Sequence, residues 1–218
     1  MDAEILAANL LRLKGVDPDL PECDRVISVR DSHNVQIGTL TVLDLDDSGD
    51  DEIIEKLTRW RNANRECFFT QFEATPERTR KWIISSALPA TNRILFLVRD
   101  AAGSPIGNIG LCNITAISAE LDNVLRGEPL AIRGFMAHAT SALLRWTRHQ
   151  LGIRRINLHV FSDNERAIKL YEAVGFSRGE SQGITRTLVS GEVHIAPSGL
   201  PAEPGEVALL EMKLTSAD

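Results

Sequence analysis

The stretch INLHVFSDNERAIKLYEAVGF, residues 156–176, decides the fold. A β-like run over 154–161 stops at Ser162-Asp163-Asn164, and a helix over 164–174 follows. Asn164 carries the short polar side chain that caps a helix start, and Ala167, Leu170, Tyr171 and Val174 recur at helical spacing. Gly175 ends the helix and Phe176 gives it an apolar plug. Tyr171 is the only tyrosine in the chain, so a phenol needed here has no substitute.

Working outward, GEPLAIRGFMAHATSALLRWTRHQLG reads as a loop and then a long helix from Gly134 to Gln150, ended by Gly152. Before it, RILFLVRD and PIGNIGLCNIT form a β-hairpin across AAGS. A third strand, ISAELDNVLRG, alternates so that Glu120, Asp122 and Val124 share one face. TLTVLDLDD (39–47) is a β-branched strand, with VISV as a short partner across the turn DSHN. Residues 51–65 are helical, acidic at the start and basic at the end, as the macrodipole favours. A second helix starts with Thr75 as N-cap and Pro76 in its first turn, and Pro89 closes it. RTLVSGEVHI and VALLEMKL are read as strands flanking the Pro/Gly-rich loop 197–205. Hairpins followed by strand–helix–strand make an α/β (α+β) fold, with a mixed, mostly antiparallel central sheet and helices on both faces. One domain, 31–218, is expected behind an N-terminal extension, 1–30. That extension holds a short helix with Ile5, Leu6, Asn9, Leu10 and Leu13 on one face, ended by Gly15 and Pro18.

A net charge of −6 argues against a nucleic-acid partner, where Lys and Arg dominate. No apolar run reaches the roughly 20 residues a membrane span needs, and the acidic N-terminus lacks the pattern of a secretory signal. A cytoplasmic protein is expected, with Cys23, Cys67 and Cys112 reduced. Neither the cysteines nor the five histidines have metal-ligand spacing, so no metal is expected.

Chemistry concentrates at two helix starts. At VLRGEPLAIRGFMAHA a strand runs through a Gly-containing loop into the long helix, whose first N–H groups and positive dipole end suit a phosphate or pyrophosphate. Gly134 lets a ligand approach the backbone, and Arg126 and Arg133 can add charge. Together with Asn164, Ala167, Leu170, Tyr171, Gly175 and Phe176, this arrangement resembles the GCN5-related N-acetyltransferase (GNAT) family. In that family a Q/R-x-x-G-x-G/A motif grips the pyrophosphate of coenzyme A, and N-x-x-A-x-x-L-Y-x-x-x-G-F covers the pantetheine arm. The second motif matches here, and the element order over 39–214 fits. The first departs: Ala131 stands at the Gln/Arg position, Gly134 matches, and Met136 replaces the second small residue and is expected to crowd the loop.

The resemblance implies a GNAT fold and an acetyl-CoA-dependent N-acetyltransferase, without metal, that transfers the acetyl group directly to an amine. It implies coenzyme A contacts at Val124, Leu125, Arg126, Arg133, Gly134, Phe135, Met136, Ala137, Asn164 and Ala167, with a main-chain N–H near Val124–Arg126 at the thioester carbonyl. Tyr171 is then the general acid toward the leaving sulfur, since a phenol is protonated at neutral pH. Asp122 and Glu120 are the candidate bases, with His159 as another candidate. For the acceptor, LTRWRNANRECFFTQFEATPERTRKWI resembles the W-R-N segment of acetyltransferases acting on nucleotide-linked amino sugars, which makes Trp60, Asn62 and Phe69, beside Arg61, Phe68 and Gln71, the expected contacts, with His159 as a fourth. The alternatives are a ribosomal-protein-like N-terminal alanine acetyltransferase and a non-catalytic acyl-CoA-binding module. An open edge in 177–205 is compatible with a homodimer.

Overall fold

The computed structural model describes residues 2–16, 25–129 and 132–215, so Pro18, Cys23 and Ala131 lie outside the described residues. Helix α1, Ala3–Leu11, starts on an Asp2 cap, and Leu6 and Leu10 are buried in the main core. A wide turn over Arg12–Val16 then buries Lys14, whose ammonium donates to the carbonyls of Ala87 and Arg93, each at 3.2 Å, and of Ala90. Residues 2–16 thus pack on the rest of the domain through Leu6, Leu10 and Lys14.

Strands β1 (Val26–Arg30) and β2 (Gln36–Val42) form the first hairpin. The sequence suggested strand to residue 47. Asp44 instead caps a short helix, α2 (Leu45–Gly49), in a reciprocal capping box with Asp47. Helix α3 (Asp51–Ala63) leads through a loop to the two-residue strand β3 (Thr70–Gln71), and α4 (Pro76–Trp82) begins on the expected Thr75 cap. Strands β4 (Ile94–Asp100), β5 (Pro105–Cys112) and β6 (Ser118–Arg126) form the antiparallel centre. Then come α5 (Phe135–Gln150), β7 (Arg155–Phe161) and α6 (Glu165–Ala173). Strands β8 (Phe176–Val189), β9 (Glu192–Pro201) and β10 (Leu209–Leu214) complete a ten-stranded sheet in the order β1-β2-β4-β5-β6-β7-β10-β8-β9-β3. The run read as one strand at 186–195 is the tip of the β8–β9 hairpin: Ser190 and Gly191 take positive φ of 52° and 84°, which turns the chain back.

Alternate side chains of the central strands enter different cores. Ile94, Phe96 and Val98, with Ile109 and Leu111, pack against Phe135, Ala139 and Leu143 of α5. On the other face Leu95 and Leu97 pack against Ile54, Leu57 and Trp60 of α3 and against Ile83. Two features shape the sheet around the site. β6 and β7 pair in parallel only from Ser118 to Glu120, opposite Arg155 to Asn157, and then separate. At the far edge β3 pairs with β9, which brings the loop after α3 onto the β8–β9 arm and walls the α3 face.

Candidate active site

The separation of β6 from β7 coincides with a bulge. Between the pairs Gly110↔Asp122 and Asn108↔Leu125, two residues of β6 oppose one of β5. Asn123 takes φ 53°, a left-handed conformation that asparagine tolerates well. Its N–H and its side-chain Nδ2 donate to the two oxygens of Asp122 at 2.8 and 2.7 Å, and its carbonyl accepts from Nδ2 of buried Asn108 at 2.7 Å. The extra residue corrects the expected face pattern. Glu120 and Asp122 lie on the α3 side, but Val124 is carried across to pack against the α5-side core, and Leu125 enters the α3-side core. Arg126 is exposed beside an open depression of about 390 Å³ that it lines with Gly127, Glu128 and Pro129.

At the mouth of the split, Glu120 of β6 and Nδ1 of His159 of β7 are 2.6 Å apart, and Asn113 donates to the same carboxylate at 2.8 Å. Burial works against the Glu120 carboxylate, but the hydrogen bonds from His159 and Asn113 overcome it and hold its pKa below the usual range. The same hydrogen bond raises the pKa of His159 against an opposing burial, with help from the charges of Glu120 and Glu211. Asp122 is occupied differently. It accepts from Arg93 at 2.8 Å as well as from Asn123 twice, so it organises the bulge rather than standing open to a substrate. Cys112 is buried beside these acids; burial, then the charges of Asp122 and Glu120, push its thiol far above its ordinary value, which disfavours a thiolate nucleophile.

Tyr171 projects from α6 and is half-buried, with Phe176 edge-on at 6.0 Å. Burial, then the charges of Asp122 and Cys67, raise its pKa, so the phenol holds its proton at neutral pH. Its hydroxyl has no hydrogen-bond partner among the described residues, which leaves it available as a donor. Asn164 is the N-cap of α6: its Oδ1 accepts from the Ala167 N–H at 3.2 Å, and its Nδ2 lies 3.5 Å from the exposed Cys67 Sγ. Half-buried Ala167 packs on the core.

At the start of α5, Gly134 is the N-cap with φ 77° and no side-chain cap. A Cβ there would meet open space, so the backbone conformation selects glycine. Arg133 is exposed beside it and Ala137 is half-buried. Phe135 and Met136 are 2% and 6% exposed, with their side chains in the core. The crowding expected from Met136 is thereby corrected, and the Met136 amide makes no hydrogen bond among the described residues, so it remains open to an anion.

The expected acceptor residues are mostly internal. Trp60 is 1% exposed; its Nε1 donates to Glu128 at 3.0 Å, and a Cβ at Gly127 would overlap its ring. Asn62 is a two-bond clasp on Ala74, at 2.9 and 2.8 Å. Arg61 lies over Phe68 and Phe72 and donates to the Thr70 carbonyl at 2.8 Å. The W-R-N segment is thus the frame of the loop. Phe69 is 38% exposed and meets Phe161 edge-on at 5.4 Å, while its carbonyl accepts from Ile195 of β9 at 2.7 Å. Asn108, Arg93 and Asn113 escaped the sequence reading; Asn108, a lone amide within PIGNIGLC, was the one with a visible signal.

A family model described as the acetyltransferase (GNAT) domain matches residues 39–177, well over half of the chain, and the chain belongs to that family of N-acetyltransferases. An uncharacterized N-acetyltransferase of Bacillus subtilis (strain 168), YycN, is 45% identical over 49 residues, 22% of this chain and only 31% of that relative. Among solved structures, spermidine N-acetyltransferase from Vibrio cholerae, crystallised with CoA and spermine, is 21% identical with a TM-score of 0.55 over 81% of this chain and 95% of its own. A probable GNAT acetyltransferase from Chromobacterium violaceum reaches 0.60 at 16% identity, over 88% and 87%. A putative phosphinothricin N-acetyltransferase reaches 0.56 at 19%, over 82% and 99%. At these identities the structural likeness is one of fold, and it confirms the expected GNAT architecture. Among the described residues no cluster of metal-ligating side chains forms and no helix is long and apolar enough to cross a membrane.

Proposed function

We propose that this protein is an acetyl-CoA-dependent N-acetyltransferase that transfers the acetyl group directly to a primary amine in a ternary complex. The observation that carries the reading is that one fold holds the β6–β7 separation after Glu120, the uncapped start of α5 and a Tyr171 phenol that feels the charge of Asp122 on β6. The α5 N-terminus, with Gly134 in its left-handed turn and Arg126 and Arg133 exposed nearby, suits the pyrophosphate. A main-chain N–H following the bulge polarises the thioester carbonyl. Tyr171 donates its proton to the departing sulfur, and the Glu120–His159 pair receives the proton that the amine sheds. Both reactants are held in one groove, which supplies the proximity term.

For the acceptor, the carboxylates of Glu120 and Glu211 near His159 favour an amine that is cationic in solution, such as a polyamine or a peptide amine. A nucleotide-linked amino sugar keeps only Phe69 and His159 of its four expected contacts, because Trp60 and Asn62 are spent on internal bonds. The test is free-thiol release from acetyl-CoA with spermidine, peptides bearing N-terminal Ala or Ser, and nucleotide-linked amino sugars. Release with a cationic amine supports this reading; release only with the sugars overturns the acceptor assignment, and no release with any amine overturns the activity.

A further inference from the structure

We propose that Asn108 is the positioning residue that aims the Val124 N–H at the thioester carbonyl, an inference that rests on the acetyl-transfer reading above. Asn108 is a polar side chain, 4% exposed, on a strand whose neighbours Ile106, Ile109 and Leu111 are all buried and apolar. Placing an amide there is costly unless it is bonded, and its Nδ2 donates to the Asn123 carbonyl at 2.7 Å. The chain has no cis peptide bonds among the described residues. In a planar trans peptide the carbonyl of one residue and the N–H of the next point in opposite directions. Drawing the Asn123 carbonyl toward β5 therefore turns the Val124 N–H away from β5, to the side where β6 has no ladder partner after Glu120.

The rest of the bulge is fixed from the other side. Asp122, itself held by Arg93 at 2.8 Å, takes both donors of Asn123. The left-handed Asn123 is thus bound at its N–H, its side chain and its carbonyl, and Asn108 makes the carbonyl contact. Asn108 and the target amide lie on adjacent strands, so the aim is set before any ligand arrives, as electrostatic preorganisation requires.

The test is Asn108→Asp, which is isosteric but sets a carboxylate against the Asn123 carbonyl when ionised and restores a donor when protonated. At pH 8, kcat falls on the order of 100-fold while acetyl-CoA affinity changes by less than about threefold. The variant-to-wild-type ratio of kcat then recovers as pH falls and the introduced carboxyl protonates. Asn108→Leu loses the donor without a charge and shows the deficit with no pH recovery. In ligand-free protein the 15N–1H resonance of Val124 shifts in both variants while the fold, read by circular dichroism, is kept. Unchanged kcat ratios and an unmoved Val124 resonance in both variants would make Asn108 a packing residue and overturn the proposal. A Val124 resonance that moves in a protein inert with every amine keeps the clamp and removes the acetyl-transfer reading instead.

Discussion

Replacing Tyr171 with phenylalanine removes one oxygen and separates catalysis from packing. The ring makes the contacts: it sits against the α5-side core and edge-on to Phe176 at 6.0 Å. The hydroxyl bonds to no described residue, so its loss leaves no buried group unsatisfied, and stability changes by less than about 0.5 kcal/mol. A general acid contributes roughly 10²–10⁴ in rate, equivalent to about 3–5 kcal/mol of transition-state stabilisation. Thiol release under saturating acetyl-CoA and amine is therefore expected to drop by that factor, while calorimetric affinity for acetyl-CoA stays within about twofold. The split between kcat and affinity is the diagnostic. If Tyr171→Phe keeps more than about a third of wild-type kcat, the phenol is not the acid; if it loses affinity as much as rate, the residue shapes the pantetheine channel.

Three other expectations come from the geometry. Glu120→Gln replaces the charged acceptor that raises the His159 pKa with a neutral amide, so the rising limb of kcat/KM moves to lower pH and the histidine NMR titration moves with it. The sign for stability runs the same way: the raised His159 pKa supports the wild-type fold at low pH and loses that support as pH rises through it, whereas the lowered Glu120 pKa does so above the ordinary glutamate range and loses it as pH falls. Gly127→Ala drives a methyl into the Trp60 ring and lowers stability by about 1–3 kcal/mol, measured by urea unfolding with tryptophan fluorescence. Burial, then the charge of Arg93, brings the Lys14 pKa down to about 8 from 10.5, so wild-type stability rises with pH across that interval. Lys14→Met abolishes that rise and, by stranding one buried and two half-buried carbonyls, costs about 3 kcal/mol at neutral pH.

The features legible in the sequence were those written in local terms. The Thr75 and Asn164 caps, the β4–β5 hairpin and the helix start at Gly134 each depend on a few adjacent residues, and the structure keeps all of them. The bulge at Asn123 was not legible, because it is imposed by Asn108 across the sheet and by an Asp122 that Arg93 holds, and strict alternation therefore misassigned Val124. Trp60 had helical spacing suited equally to a core or a site, and its burial is decided by Gly127 and Glu128, far along the chain. The first half of β8 is polar and exposed, without the alternation that announces a strand. Its Ser190-Gly191 turn did carry the hairpin signal, which a single-strand reading overlooked.

The most direct test of the account is a crystal structure of the protein with acetyl-CoA. The pyrophosphate is expected at the α5 N-terminus, the pantetheine arm between β6 and β7, and the thioester sulfur within about 3.5 Å of the Tyr171 hydroxyl. An acetyl-CoA bound elsewhere, or one in the split with its sulfur far from Tyr171, would contradict it.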